Sequence, residues 1–328
     1  MLSNNPYKTS RDYDTRAVNR RNLLSLVKEI WATDVVVLGG GGLLQDITSK
    51  LSLIYYLGII WISVIFSKRV MLISQGIGPI TSDISRLLTR LTIQRVNTIA
   101  TRDIYSLNLL KKLGIKNPKM CVIPDPVFLL NIKDANIFKR DIKMVGGKKS
   151  KYRLCFCVRE WRNRKDLINR LVKLLKEILK EFDFDVVFVE FHKSLDRGIY
   201  QELMSKIESS NLPVPRLLEW NDLNSLINTI KEVDIMVAMR YHALVLASVI
   251  GIPSFALSYD PKIRNLVSSL GNMPMIDIER FDPNEVKRKI KETWENRQRF
   301  KEQLNTDINR VKQDANRVRD LFQKEMIF

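Results

Sequence analysis

From about Asp34 onward, short apolar runs rich in β-branched residues alternate with amphipathic helical patterns, and few folds accept that alternation. The runs predict strands over residues 34–38, 70–74, 98–101, 120–123, 153–158, 185–190, 234–238 and 254–258. Each is continuously apolar rather than alternating, as in parallel strands covered on both faces. Between them, 22–30, 84–94, 104–113, 165–181, 222–231 and 243–250 carry apolar residues at helical spacing. Repeated strand–helix–strand units imply right-handed crossovers and doubly wound α/β sheets.

A chain of 328 residues exceeds the usual size of one hydrophobic core, so two domains are expected. Segment 132–151 loses the apolar period, gathers lysines and contains Gly146-Gly147, which reads as a linker. The expected organisation is a Rossmann-like domain over 1–140, a second over 150–280, and a long charged helical tail over 282–328. The tail's apolar positions make a narrow stripe suited to packing across a surface. Residues 1–21 are polar and irregular, without the pattern of a secretory leader. Stretch 51–66 is almost wholly apolar but sits at the lower limit for a membrane span, so a helix buried behind a sheet is expected. Cys155 and Cys157 lie two apart in an apolar run and read as small buried hydrophobes, which suits a reducing cytoplasm.

The formal charge of +18 calls for an anionic partner: nucleic acid, an anionic membrane surface or a phosphorylated small substrate. The cations are spread through helices and interleaved with glutamates, so solvated helix faces account for most of them. No aromatic RNA-binding signature accompanies the charge, and sequence-specific nucleic-acid binding is not expected. No zinc-ligand spacing or other metal cluster appears, so chelators should leave activity unchanged.

In open parallel sheets, ligands bind beyond the carboxyl ends of the strands. After 34–38 comes Gly39-Gly40-Gly41-Gly42, then Leu43-Leu44-Gln45-Asp46. Four glycines let a ligand approach the main chain closely, although tight strand–helix packing would use them equally well. The run has neither a Walker lysine nor the dinucleotide spacing. After 70–74 comes a second glycine loop, Gln75-Gly76-Ile77-Gly78-Pro79, with a polar side chain at its mouth. Arg102-Asp103 opens a helix that Asp103 can cap, and Asp125 between two prolines is a turn former or a hydroxyl acceptor. In the second half, Arg159 closes a buried strand, which favours anion binding over a solvated charge. His192, with Asp196 nearby, follows the next strand. The strongest element is Arg240-Tyr241-His242, between a buried strand and a helix. A helix start binds anions, the arginine adds a forked donor, and the histidine can carry a proton. Lys262, after the next strand, brings a further cation to the same edge.

DVVVLGGGGLLQD, SQGIGPI, TRDIYSLNLLKKLGI, PDPVF and RYHALVLASVIGIPSFALSYDPKI, in that order, resemble the polysaccharide pyruvyl transferase family and, within it, the CsaB-type cell-wall subgroup. The likeness spans roughly residues 1–275. It implies two Rossmann-like domains in a GT-B-like arrangement, with the active site in the cleft between the halves. It also implies transfer of a pyruvyl group from phosphoenolpyruvate to two hydroxyls of one sugar, giving a cyclic ketal and phosphate. Phosphoenolpyruvate is then a co-substrate, and no cofactor is implied. In the CsaB-type subgroup the glycan is a secondary cell-wall polymer, on which surface-layer proteins dock.

With phosphoenolpyruvate as the ligand that the resemblance implies, Arg159, Arg240, His242 and Lys262 are expected to hold it, with His242 and Arg240 catalytic. Acceptor contacts fall to Gly40, Gly41, Gln45, Asp46, Gln75, Gly76 and His192. The acceptor is expected to be a lipid-linked saccharide, reached by a cytoplasmic protein in peripheral contact with the inner membrane face. Family members usually carry one more strand and a glycine loop ending in Gly-Asp ahead of this region, so the chain is expected to be short at its N-terminus. Two rival functions share the composition. A GT-B glycosyltransferase would depend on a nucleotide sugar. A non-catalytic polyanion-binding module would gather its charge on one face and lose affinity steeply with salt.

Overall fold

A computed structural model of the chain describes residues 1–47, 49–116, 119–132, 144–145, 148–149, 152–271 and 273–326. Every strand expected from the sequence is present in it, and the polypeptide divides into two units, Met1–Asp125 with Arg317–Phe328, and Pro126–Asn316.

The first unit runs β1 (Leu2–Ser3), α1 (Pro6–Tyr13), β2 (Val18–Asn19), α2 (Leu23–Trp31), β3 (Val35–Leu38), β4 (Gly41–Leu44), α3 (Lys50–Ile65), β5 (Arg69–Ile77), α4 (Asp83–Ile93), β6 (Thr98–Thr101), α5 (Ile104–Lys112) and β7 (Met120–Val122). The N-terminal residues are therefore not irregular. β1 pairs with β2 in parallel, and Asn5 caps α1 by accepting from the Lys8 N–H at 3.1 Å. Polar residues there serve as caps rather than as signs of disorder.

The sheet of this unit has the parallel order β3-β5-β6-β7, with β4 pairing β5 beyond the end of β3. β3 and β4 thus form one interrupted edge. Half of the glycine run is strand, Gly41 and Gly42 opening β4, and Gly39 and Gly40 lie between the two pieces. Likewise Gln75-Gly76-Ile77 is not a loop but the end of β5. The backbone of β5 finds ladder partners in β4 and β6, and glycine does not forbid that pairing. β5 bulges where its register on β6 shifts between Leu72 and Gln75. Ser74 sits there at φ 51°, a left-handed conformation uncommon outside glycine. Leu53, Leu57 and Ile60 of α3 pack on Val70, Leu72 and Ile77, so stretch 51–66 is a helix lying on the sheet. Among the described residues no helix is long and apolar enough to cross a membrane.

The second unit contains an antiparallel pair, β8 (Met144–Val145) and β9 (Lys148–Lys149). The rest of the expected linker over 133–151, Gly146-Gly147 included, lies outside the described residues. Then follow β10 (Tyr152–Cys157), α6 (Arg164–Glu181), β11 (Phe184–Val189), α7 (Lys193–Glu208), β12 (Arg216–Leu218), α8 (Leu223–Lys231), β13 (Ile235–Ala238), α9 (Tyr241–Ile250), β14 (Ser254–Ser258), α10 (Pro261–Ser269), β15 (Met275–Asp277), α11 (Pro283–Glu295) and α12 (Arg297–Met326).

The six strands are parallel in the order β12-β11-β10-β13-β14-β15. The chain winds outward from β10 to β12, returns to β13, and winds outward the other way. β10 and β13 therefore flank the switch point at which such sheets bind ligands. β12 and β15 are three residues each, too short to show a period in the sequence. The charged tail is two helices, and Leu304, Ile308, Val311 and Ala315 of α12 join the core of the second unit. Cys155 and Cys157 are fully buried in that core, and burial pushes the Cys155 thiol up to about 12.

Candidate functional site

Register places the two key arginines. Cys157 of β10 pairs with Ala238 of β13, and the Met239 N–H donates to the Cys157 carbonyl at 2.8 Å. Two residues past that pair, Arg159 and Arg240 leave neighbouring strands at the same height, where strands stand about 5 Å apart. On the other side of β10 the ladder to β11 ends at Phe156 and Phe188. Beyond it the fully buried Tyr200 hydroxyl takes over. It accepts from the Val158 N–H at 2.9 Å and lies 2.8 Å and 3.1 Å from the Val158 and Val189 carbonyls. Burial pushes this phenol well above its usual range, so it stays a donor.

The expected cations prove unequal. Arg240 occupies the N-cap position of α9, but its side chain turns to Asp196, a fully buried carboxylate of α7. Asp196 accepts from Nε of Arg240 at 3.1 Å, from its Nη2, and from the His192 N–H at 3.1 Å. Arg240 is therefore not an open charge. Its guanidinium is matched and oriented, and a bidentate pair of this kind fixes direction as well as charge. Lys262 pairs with Asp260 at 3.3 Å, and Asp260 also caps α10 by accepting from the Lys262 N–H at 2.9 Å. Arg159 differs. Its Nη1 donates to the Tyr259 hydroxyl at 3.1 Å, its Nε donates to the Glu160 carbonyl at 3.3 Å, and its guanidinium lies 5.1 Å from the Tyr259 ring centre. Among the described residues it meets no carboxylate.

His242 is exposed on the first turn of α9, with its ring edge-on to Tyr241 at 5.2 Å. His192 is exposed at the start of α7, its Nδ1 3.2 Å from the Ser194 hydroxyl. Arg159, His192, Arg240, His242 and Lys262 thus all follow the carboxyl ends of strands in one sheet. Tyr200 and Tyr259 complete that edge without having been singled out for it, and the sequence marks Asp196 only as a neighbour of His192. Asp196 stands 44 residues from Arg240, and no local pattern links the two.

The expected acceptor residues of the first unit behave otherwise. Asp46 is buried and accepts from the Thr81 N–H at 2.8 Å and 3.0 Å, the Ser82 N–H at 3.0 Å and the Thr81 hydroxyl at 3.1 Å. Burial pushes its carboxyl up, but the Ser82 and Thr81 amides and the Ser85 and Thr81 hydroxyls outweigh this and hold it below the usual range. Asp46 is a tether for the turn into α4, not an open ligand contact. Gln75 is also buried, and its amide donates to the Leu38 carbonyl at 3.3 Å and to the Gly39 carbonyl, bridging the break between β3 and β4. Gly40 is exposed at that break, and Gly41 and Gln45 are half-buried beside it.

Gly76 makes room for an arginine. A Cβ there would stand 2.4 Å from Nη2 of Arg102. Arg102 is buried and forms ion pairs with Asp125 at 3.7 Å and Asp103 at 3.9 Å. Asp103 caps α5 through the Ser106 N–H at 2.8 Å. Residues read one by one in the sequence thus form a single buried charge cluster. Among the described residues no group of three or more His, Cys, Asp or Glu is placed to hold a metal ion.

Several solved structures are similar over nearly the whole chain. A Listeria monocytogenes protein assigned as a UDP-N-acetylglucosamine 2-epimerase matches with a TM-score of 0.69 at 11% identity, covering 98% of this chain and 86% of its own. HepE from Anabaena, in complex with UDP and glucose, matches at 0.65 and 12% identity, covering 98% and 90%. A UDP-GlcNAc 2-epimerase from Neisseria meningitidis, bound to UDP-GlcNAc, matches at 0.61 and 13%, covering 97% and 88%. At these identities the likeness shows the fold, an α/β fold of GT-B-like class with two Rossmann-like units. No curated protein matches the sequence. The family model described as polysaccharide pyruvyl transferase matches residues 1–261.

Proposed function

We infer the activity from kinship: the chain belongs to the polysaccharide pyruvyl transferase family, and we propose that it transfers a pyruvyl group from phosphoenolpyruvate to two hydroxyls of one sugar in a polysaccharide precursor. Phosphoenolpyruvate carries a carboxylate and a phosphate close together, so its site needs at least two cations in a small volume. The observation that carries the proposal is the matched departure of Arg159 and Arg240 from β10 and β13 at the switch point. Arg159 brings a cation that meets no carboxylate among the described residues. Arg240, aimed by Asp196, brings a directed fork, and Lys262 adds a third cation at the start of α10.

The chemistry balances without an oxidant. A proton adds to the methylene carbon of the enol phosphate, and positive charge builds at the carbon bearing phosphate. One sugar hydroxyl attacks that carbon, the carbon–oxygen bond to phosphate breaks, and the second hydroxyl closes the ketal. Of the two hydroxyl protons released, one replaces the proton given to the methyl group and the other leaves with phosphate. His242 is the proton carrier or phosphate contact in this scheme. Acceptor contacts fall to the exposed or half-exposed Gly40, Gly41, Gln45 and His192, while Asp46, Gln75 and Gly76 act by shaping the first unit.

The motif likeness supports the CsaB-type subgroup, with a lipid-linked saccharide as acceptor, a cytoplasmic setting and a cell-wall glycan that anchors surface-layer proteins. A direct test mixes the purified chain with phosphoenolpyruvate and candidate lipid-linked saccharides. Phosphate should appear only with both substrates, and the product should gain the mass of a pyruvyl ketal. Transfer from a nucleotide sugar, with no turnover of phosphoenolpyruvate, would overturn the proposal in favour of a glycosyltransferase.

A further inference from the structure

Helix α4 is inside out. It buries Ser85, Thr89 and Thr92 together with Ile93, and exposes Ile84, Leu87, Leu88 and Leu91. Ile84 is 72% exposed and Leu87 56%, whereas Thr89 is fully buried. An ordinary surface helix does the reverse. The neighbouring α3 shows a similar stripe, Leu51, Ile54, Trp61 and Ile65, at spacings of three, seven and four, which share one helix face. Trp61 joins the two stripes, since its indole N–H donates to the Thr92 hydroxyl at 2.8 Å. Scattered exposed leucines need no explanation, but adjoining stripes on two packed helices mark an interaction surface.

Charge selects the partner. On α3, α4 and the residues just after α4, Lys50, Arg86, Arg90 and Arg95 are exposed, against one carboxylate, Asp83, which pairs with Arg86 at 3.0 Å. A symmetric contact with a second copy would bring these like charges together around an apolar centre. An anionic lipid surface meets both demands, since it takes leucine and tryptophan side chains at the acyl boundary and cations at the headgroups. α3 has 16 residues, about 24 Å of helix, and its opposite face is committed to the sheet, so it would lie along a membrane rather than cross it. We propose that the exposed face of α3 and α4 docks the protein on the surface of an anionic bilayer. The proposal is independent of pyruvyl transfer: it concerns where the protein sits, and its failure would leave the reading of Arg159 and Arg240 untouched.

The test is co-sedimentation of the full chain with vesicles of phosphatidylcholine, with and without about one third phosphatidylglycerol. Binding should require the anionic lipid and weaken with salt. Leu87→Ser/Leu91→Ser should lower partition on the order of a hundredfold, and Arg90→Glu/Arg95→Glu on the order of tenfold. All four side chains are exposed, so unchanged circular dichroism is expected for both variants. Absence of binding to anionic vesicles by the folded wild type would overturn the proposal, as would binding that ignores the leucine substitutions. A dimer that Leu87→Ser/Leu91→Ser converts to monomer, without vesicle binding, would assign the face to a second copy instead.

Discussion

Helices α6 and α4 are both amphipathic and both follow a parallel strand, yet they point their apolar faces in opposite directions. α6 buries Leu167, Leu171, Leu174 and Ile178 against its sheet and exposes Lys165, Lys173 and Lys180. α4 turns hydroxyls inward and leucines outward. The contrast extends to the two units. Of the twenty-two exposed large apolar side chains among the described residues, nineteen belong to the first unit. The carboxyl edges of the sheets differ in the complementary sense. In the second unit that edge presents Arg159 and exposed histidines. In the first, Gln75 bridges a strand break and Arg102 is buried against Asp125. Both units use one folding plan, but the second is elaborated at its strand ends and the first on its outer helices.

The sharpest way to break this comparison is at the strand ends of the second unit. Arg159→Ala, Arg240→Ala and His242→Ala should each cut kcat/KM for pyruvyl transfer by about a thousandfold or more, with circular dichroism unchanged. Retained turnover in any one would remove that residue from the site. Asp196→Asn should lower kcat/KM roughly a hundredfold, mostly through KM for phosphoenolpyruvate, because Arg240 loses its aim. Partial recovery in Asp196→Glu would separate aiming from mere folding, and a loss of stability without any change in KM would make the pair structural only.

Stability measurements test the two helices against each other. In urea unfolding, Leu171→Ala in α6 should cost about 2–5 kcal/mol, whereas Leu87→Ala in α4 should stay within about 0.5 kcal/mol. Equal costs would mean that α4 is not inverted. Asp46→Asn should cost about 1–3 kcal/mol at neutral pH, since buried amides lose a charged acceptor. The native carboxyl is held below its unfolded range, so its contribution is whole above ordinary carboxylate pH and fades as pH falls through the native value. Wild type and Asp46→Asn should therefore converge in acid, and a constant gap would rule out the ionised tether.

The strands were legible because a buried parallel strand leaves a continuous apolar run, and 98–101 and 254–258 fall where the sequence puts them. α9 was legible for a similar reason, with its start misplaced by only two residues. β4 was not, because glycine signals freedom in one stretch of chain while the pairing that made it a strand comes from β5. Asp196 was visible as a nearby residue, but its tie to Arg240 depends on β11 and β13 lying on either side of β10. The inversion of α4 was hidden in a subtler way. A period shows that a helix has two faces and carries no sign for which one meets the protein. Here two of the three inner hydroxyls find partners, Thr92 in the Trp61 indole and Ser85 in Asp46, while the Thr89 hydroxyl meets none among the described residues.

The Tyr200 hydroxyl sits where the ladder between β10 and β11 gives out. Sheets that open at a binding edge commonly leave amides for water to fill, and water comes and goes. A phenol anchored in a packed core does neither. The gap between these strands is therefore bridged by hydrogen bonds to a packed side chain rather than by solvent. Its spacing should hold through changes of hydration, and small differences in the loops above it can alter which ligand fits while the opening beneath stays constant.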